Sequence, residues 1–322
     1  MFSINIKKQQ LHTFVAASIA ALAFSLTPSL LAEEGGTGHV APGGVATLID
    51  TAPSKHGWVI EAMYINYQGS NTREIPIANK LSFGLDASVD ILNVGALYTF
   101  EDNLLGAHYS VGAFLPYSWM TLDGTIDLGG GPISIRDTAQ GIGDMTIIPA
   151  MLAWKKGNLE YVASLSIYAP TGDYSTDNLA NTGLNYWTVD PTAGVAYANA
   201  ETGLNAAFYT GITINSENSA TNYKSGSMLH FEGSVQQLLP LGPGFFGIGA
   251  EAFFFQQVSG DSGSGAKVGD FKGRTAGIGP VVNYILPCGD ATWVFEAKWL
   301  PEIDTKSRLK GDYVWVKAVY QF

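Results

Sequence analysis

The chain has 322 residues, and its 17 lysines and arginines against 28 aspartates and glutamates give a formal net charge of −11. Residues 1–32 hold two lysines and no acidic residue, so the remaining chain has 15 basic against 28 acidic residues and a formal charge of −13. A chain with this negative charge has no electrostatic attraction to the phosphates of nucleic acid. Charged residues make up 14% of the chain, whereas soluble domains carry about 25%. The composition therefore disfavours a nucleic-acid-binding protein and an ordinary soluble domain.

The first 32 residues have the pattern of a secretory signal. Lys7-Lys8 gives a basic start, an apolar run covers residues 14–31, and cleavage is expected after Ala32. The alternative is an N-terminal membrane anchor, which is disfavoured because Pro28 shortens the helical stretch below the usual span of about 20 residues. We therefore predict a signal peptide over residues 1–32 and export from the cytoplasm.

Residues 33–57 form a glycine-rich segment ahead of the first predicted strand. The segment has neither the period of an amphipathic helix nor that of a strand. Two alternatives remain open, a periplasmic tether and a plug that folds back into a barrel.

No run of 18 or more apolar residues follows the signal, so we expect any membrane crossing to use strands. Alternation at a period of two predicts about twelve of them. They are expected at 58–68, 85–100, 104–120, 141–154, 159–169, 187–198, 202–214, 225–238, 244–257, 273–286, 291–300 and 311–322. Short turns alternate with longer polar connections such as 69–84 and 121–140, as in outer-membrane barrels. The predicted fold class is all-β: a transmembrane antiparallel β-barrel of about 12 strands over residues 58–322.

Many predicted strands have one apolar face. In the last strand this face carries Val314, Val316, Ala318, Tyr320 and Phe322. Charges avoid such faces, as expected where side chains meet lipid, because a lysine or arginine at the bilayer midplane costs about 2–4 kcal/mol. Aromatic residues near strand ends predict interfacial girdles. They are Trp58, Tyr64, Tyr117, Trp187, Tyr197, Tyr284, Trp293, Trp299 and Tyr320.

The opposite faces predict the lumen. The candidate lumen-lining residues are Glu61, His108, Asp144, Asp190, Tyr209, His230, Glu232, Glu251, Phe253, Glu296, Lys298, Trp315 and Lys317. They are compatible with a water-filled or side-chain-filled interior in which Glu296, Lys298 and Lys317 form a salt-bridge network. This is the favoured interpretation, and the alternative is an aromatic-interleaved wall along which a partly apolar solute passes. A barrel of this size lies between filled and open barrels, so it can hold a narrow channel or a ligand cavity.

Catalysis by a serine nucleophile would require a histidine and an acid nearby. Two local arrangements qualify: His230 with Glu232 and Ser227 or Ser234, and His108 with Ser110. A serine near a histidine is frequent by chance, so we expect no enzymatic activity and no catalytic residues. The single cysteine, Cys288, excludes a cysteine metal cluster, and neither a metal nor a cofactor is expected.

Several motifs, taken in order, resemble one family. They are residues 38–43 (GHVAPG), 141–144 (GIGD), 169–174 (APTGDY), 181–187 (NTGLNYW), 221–226 (TNYKSG) and 279–280 (GP). Together they resemble the outer-membrane barrels named for the meta-pathway of phenol degradation. The resemblance implies a transporter-like barrel, distantly similar to fatty-acid and aromatic-hydrocarbon channels. It also implies that the barrel-assembly machinery reads the terminal Phe322.

The expected function is that of an outer-membrane channel or facilitator for passive uptake of small hydrophobic or aromatic compounds. Its expected partners are outer-membrane lipid, the barrel-assembly machinery and a small hydrophobic or aromatic solute, with no nucleic acid. One alternative is a non-transporting structural or adhesion barrel, whose interior should be filled by its own side chains. A third is a lipid-modifying hydrolase.

Overall fold

The computed structural model describes residues 38–53, 55–75, 81–127, 132–266 and 272–322. The predicted signal peptide lies outside the described residues. Within these ranges the strands are β1 Gly57–Ile75, β2 Leu81–Thr99, β3 His108–Asp127, β4 Pro132–Ile142, β5 Met145–Lys156, β6 Leu159–Ala169, β7 Thr188–Ala198, β8 Leu204–Ile212, β9 Ile214–Asn215, β10 Met228–Leu241, β11 Gly244–Gln257, β12 Arg274–Cys288, β13 Ala291–Lys306 and β14 Lys310–Gln321.

The strands form one antiparallel sheet that closes on itself, because β1 pairs with both β2 and β14. At the closure, the backbone groups of Trp58 and Phe322 exchange hydrogen bonds of 2.9 and 3.0 Å. β4 and β5 are one strand interrupted at Gly143 and Asp144, and β8 and β9 are one strand interrupted at Thr213. The sheet is therefore a barrel of twelve strands, which confirms the predicted fold class. The described residues contain no helix long and apolar enough to cross a membrane.

The connections define two ends of the barrel. The turn end carries the short connections at 100–107, 157–158, 199–203, 242–243 and 289–290, together with the start of β1 and the end of β14. The loop end carries the longest connections, of which 170–187 and 216–227 are fully described.

The strands β1–β4 are longer at the loop end than the sequence predicts. The stretches 69–84 and 121–140, expected as loops, are largely strand, and β4 pairs with β3 alone beyond the interruption at Gly143. Alternation continues here, with Asp86 and Ser88 facing outward and Leu85 and Ala87 buried on the inner side. Polar residues on the outer face are favourable where a sheet extends beyond the membrane into water. Because polar residues are also typical of loops, the sequence predicted loops for these stretches.

Residues 38–53, hereafter the inner segment, lie inside the barrel. Ala46 and Thr47 are fully buried, and a single 3-10 turn follows at Leu48–Asp50. The segment runs from His39, which meets Asp144 near the loop end, toward the turn end where β1 begins. The barrel interior is therefore partly occupied by the chain's own backbone.

The outer surface is apolar and carries aromatic rings at its edges. Val316 on β14 and Phe322 just after it are about half exposed. At the turn end, rings lie 4.6–5.1 Å apart in two runs around the barrel: Trp58, Tyr98, Phe100 and Tyr109 in one, and Trp293, Tyr320 and Phe322 in the other. Such a surface is typical of strands that face lipid with their aromatic residues at the interface.

Candidate functional site

One side of the interior carries buried charges from β10, β11, β13 and β14. We call this set, Glu232, Glu251, Glu296, Lys298 and Lys317, the charged wall. Lys298 Nζ lies 2.8 Å from Glu251 Oε2 and 3.4 Å from Glu296 Oε1, and all three side chains are almost fully buried. Alternation places these residues on the inner face, and the β13–β14 register sets Glu296 beside Lys317.

The inner segment is attached to this charged wall by polar contacts. Lys317 Nζ contacts Asp50 Oδ1 at 2.5 Å, and Thr47 Oγ1 donates to Glu296 Oε1 at 3.1 Å. One lysine of the wall therefore has its closest carboxylate on the inner segment rather than on a strand.

Two further contacts fix the middle of the segment. The backbone N–H of Gly43 donates to Glu232 Oε2 at 2.7 Å, and Ser234 Oγ donates to the carbonyl of Ala46 at 2.6 Å. Gly43 has φ +91°, and a Cβ there would lie 2.6 Å from Leu300 Cδ1 and 2.9 Å from Trp315 Nε1. The segment is thus packed so closely against the wall that only glycine fits at this position.

Asp144, at the interruption between β4 and β5, links the inner segment to the loop 170–187. Its carboxylate contacts His39 Nε2 at 2.9 Å and accepts hydrogen bonds from the backbone N–H groups of Gly172 and Leu184 at 2.9 and 2.7 Å. His39 also stacks on Tyr168, with ring centroids 5.1 Å apart. Motifs that are far apart in the sequence therefore converge at one carboxylate.

His230, a residue of one predicted catalytic arrangement, contacts Asp190 rather than a serine. Its Nε2 lies 3.0 Å from Asp190 Oδ1, and its ring packs edge-on against Phe255. Ser234 donates to the inner segment, as described above. In the second arrangement, Ser110 Oγ pairs with Thr99 Oγ1 at 2.7 Å. Both of these serines therefore have structural partners.

The other side of the interior is open. A cavity of about 770 Å³ lies beside the inner segment, bordered mainly by β1–β6 and also by residues of β7, β8, β10, β13 and β14. We call its lining from β1–β6 the apolar wall, which includes Met63, Ile65, Val89, Ile91, Leu97, Phe114, Met120, Leu122, Ile148, Met151 and Val162. The cavity reaches from Leu179 and Thr182 in the loop 170–187 to Leu97 and Gln321 near the turn end. It therefore extends along most of the barrel.

The structure divides twelve of the thirteen predicted lumen residues into two groups. Those that contribute to the cavity are Glu61, Asp144, Asp190, Tyr209, His230, Glu232 and Trp315. Those that are buried but do not contribute to it are Glu251, Phe253, Glu296, Lys298 and Lys317. His108 is half-buried at the turn end of β3.

Sequence reasoning missed the apolar wall. It also missed the inner-segment residues that contact the charged wall, such as Asp50. β1 and β2 carry large apolar side chains on both faces, as Tyr64 beside Ile65 and Ile91 beside Leu92 illustrate, so alternation did not separate inside from outside. Asp50 was overlooked because the residues around it show neither the hydrophobic periodicity of a helix nor that of a strand. Its position as the only acidic residue between Glu34 and Glu61 was the available signal.

Of three solved structures that resemble this chain, the first supports the fold. The COG4313 outer membrane channel from Pseudomonas putida F1 has a TM-score of 0.55 at 17% identity and covers 88% of this chain and 100% of that one. The β domain of the Bordetella autotransporter BrkA follows, with a TM-score of 0.48 at 10% identity and coverage of 82% and 98%. The transport unit of the autotransporter AIDA-I from Escherichia coli has a TM-score of 0.45 at 9% identity, with coverage of 95% and 97%.

No curated protein matches the sequence. A family model, in contrast, matches residues 69–318, which is most of the chain and nearly all of the barrel. The motifs around Asp144, Gly172 and Leu184 fall within this range and predicted the same family from the sequence. The protein therefore belongs to the family described as "Putative MetA-pathway of phenol degradation".

Proposed function

We propose that the protein is a passive channel of the bacterial outer membrane that admits small hydrophobic or aromatic compounds. The observation that carries this proposal is the cavity of about 770 Å³, which runs along the apolar wall from the loop 170–187 to Gln321 near the turn end. Membership of a family named for phenol degradation is compatible with an aromatic solute. The similar barrel from Pseudomonas putida is itself described as an outer membrane channel.

The chemistry of the apolar wall favours neutral, apolar solutes. Side chains such as Met63, Ile91 and Ile148 form no hydrogen bonds that could replace the water around a solute. Moving an ion from water into such surroundings is very unfavourable. An apolar solute instead gains about 25 cal/mol for each Å² it removes from water. The inner segment narrows the lumen, so a small solute fits better than a large one.

The outer surface indicates how the barrel would sit. With the turn end in the periplasm and the loop end outside, short turns and long loops lie where outer-membrane barrels place them. The β1–β4 strands would then rise above the membrane, with Ala87 and Leu122, which face each other across β2 and β3, as an entry to the cavity.

A structural barrel without transport is the second candidate. The observation that favours it is the inner segment, which fills the side of the lumen next to the charged wall through Gly43, Thr47 and Asp50. If this alternative is correct, the cavity is only space left between packed side chains, and substitutions of the residues that line it should leave solute uptake unchanged.

Uptake of a radiolabelled aromatic hydrocarbon by intact cells distinguishes the two. We expect a deletion strain to take it up more slowly, and the parent protein and an Ile91→Leu variant to restore the rate. An Ile91→Arg variant should reduce uptake by about tenfold or more, because it places an unpaired charge on the apolar wall. Equal uptake by the deletion strain and the parent would contradict the channel, and immunoblots must show equal amounts of folded barrel for the parent protein and the two Ile91 variants.

A further inference from the structure

We propose that solutes leave the cavity along the apolar wall through a second cavity at the turn end, and that Ala52 of the inner segment limits the size of the solutes that reach it. This inference rests on the proposed channel function. It identifies the exit of the passage and the residue that determines which solutes pass.

The second cavity has a volume of about 720 Å³ and lies at the turn end. Its lining includes the connections 157–158 and 199–203. Three residues of the inner segment, Leu48, Thr51 and Ala52, contribute both to this cavity and to the cavity along the apolar wall. The inner segment is therefore the partition between the two cavities, and a solute that crosses from one to the other must pass these residues.

Near the turn end, the apolar wall packs against the inner segment at Ile49. This residue belongs to a cluster of buried, mostly large side chains. The others are Val59, Leu97, Phe114, Ile148 and Val319. A solute that left the barrel beside Ile49 would have to separate these side chains, and each would lose many dispersion contacts. Exit beside Ile49 is therefore unfavourable.

The inner segment packs against smaller side chains at Ala52. Ala46 and Ala52 share a buried cluster with Ala153 on β5, Val162 on β6 and Tyr209 on β8. We call this cluster the seam. Three of its five residues are alanines, which have few atoms in contact, so a solute separates the seam with a smaller loss of dispersion contacts than at Ile49. The seam is therefore the favoured route between the two cavities.

Polar contacts on two sides hold Ala52 in position. The carboxylate of Glu160 on β6 accepts a hydrogen bond from the backbone N–H of Ala52, and Glu160 itself contributes to the second cavity. On the other side, the contact of Asp50 with Lys317 attaches the segment to the charged wall. Because the backbone is fixed in this way, the volume of side chain 52 determines how wide the seam can open.

The first test changes the size of side chain 52 and of the solute. Deletion-strain cells that express each variant are given radiolabelled benzene or naphthalene. Ala52→Leu adds a bulky side chain to a packed contact, so naphthalene uptake should fall by about tenfold and benzene uptake by less. Ala52→Ser changes the volume little and should behave as the parent does. Equal naphthalene uptake by Ala52→Leu and the parent would overturn the proposal, and immunoblots check that the amounts of folded barrel are equal.

The second test blocks the seam reversibly and remains decisive if Ala52→Leu does not fold. Benzyl methanethiosulfonate is added to Ala52→Cys in a Cys288→Ser background, in which this cysteine is the only one. Naphthalene uptake should fall by about tenfold and return with reductant, because the benzyl group overfills the seam. A cysteine that is modified without loss of uptake would overturn the proposal. So would a cysteine that the reagent does not modify, since a solute of similar size must reach it.

The matched control for this modification is Leu97→Cys in the same background. Leu97 contributes to the cavity along the apolar wall and belongs to the cluster around Ile49. Its modification should reduce naphthalene uptake by less than about twofold, because the benzyl group occupies space that the leucine side chain held. A larger loss at Leu97→Cys than at Ala52→Cys would place the exit beside Ile49 and overturn the proposal.

The two proposals can fail separately. If the parent protein supports no aromatic uptake, the channel function is wrong, and ionic current through the purified barrel in planar bilayers tests the route instead. Current that falls when Ala52→Cys is modified would still place the route at the seam, and current that does not fall would overturn it. If uptake is normal and modification of Ala52→Cys leaves it unchanged, only the exit is wrong.

Discussion

The two sides of the barrel interior are built from the same alternating strands but differ in what they bind. The charged wall holds Lys298 against Glu251 and Glu296 and attaches the inner segment by polar contacts, whereas the apolar wall borders the cavity and meets the segment through apolar side chains such as Ile49. The comparison shows how one closed sheet can hold a peptide on one side and leave a path on the other. Buried charges need fixed partners, and the inner segment supplies some of them, while apolar side chains need none.

The largest expected effect comes from breaking the charged wall. Lys298→Met leaves Glu251 and Glu296 buried without their cation, so the free energy of unfolding should fall by about 3–5 kcal/mol. Urea unfolding in lipid vesicles measures the change. Adding Glu251→Gln and Glu296→Gln should restore much of the stability, and the account of the wall fails if the triple variant is no more stable than Lys298→Met.

A matched change on the apolar wall should have a smaller effect. Ile91→Val removes one methylene beside an existing cavity, and such changes typically cost about 0.5–1.5 kcal/mol. The same urea titration measures it. If the loss equalled that of Lys298→Met, the two walls would not differ in the way described.

The attachment of the inner segment can be tested at Gly43. Gly43→Ala combines a positive φ with a Cβ crowded by Leu300 and Trp315, and we expect a loss of about 1–3 kcal/mol. Gly84→Ala is the control, because a Cβ there meets nothing within 4 Å. Melting temperatures of the two variants should differ, and equal values would mean that the segment is not packed against the wall at Gly43.

The smallest effect is expected at the loop end. Asp137 Oδ2 accepts hydrogen bonds from the backbone N–H groups of Leu179 and Ala180 at 2.8 and 2.9 Å, which tie the loop 170–187 to β4. Asp137→Asn weakens two charge-assisted hydrogen bonds, so amide hydrogen exchange at these two residues should become faster while global stability changes by less than about 1 kcal/mol. Unchanged exchange would show that the loop is held by other contacts.

The sequence predicted the barrel because period-two alternation is strong where one face meets lipid, as on the strand that ends at Phe322. It also predicted that Glu296, Lys298 and Lys317 face inward. It could not show that Lys317 contacts Asp50, because this contact joins residues 267 positions apart through a segment without periodicity. The extension of β3 and β4 at the loop end was missed because charged residues such as Asp123 and Arg136 are typical of loops. In the fold these two residues lie opposite each other on the neighbouring strands β3 and β4 and form an ion pair.

The interruption at Gly143 and Asp144 illustrates the same limit. The sequence marked this site as part of a family pattern. The partners of Asp144, which are His39 and the backbone N–H groups of Gly172 and Leu184, could be identified only from the fold. Every residue except proline has a backbone N–H group. The sequence therefore does not show which N–H groups a carboxylate binds.

The central claim, that the passage follows the apolar wall and the inner segment covers the charged one, is tested most directly by cysteine accessibility. In a Cys288→Ser background, Ile91→Cys lies on the cavity and Leu300→Cys lies beneath Gly43. N-phenylmaleimide added to intact cells should label Ile91→Cys and leave Leu300→Cys unlabelled. Labelling of Leu300→Cys at an equal or higher rate would contradict the account.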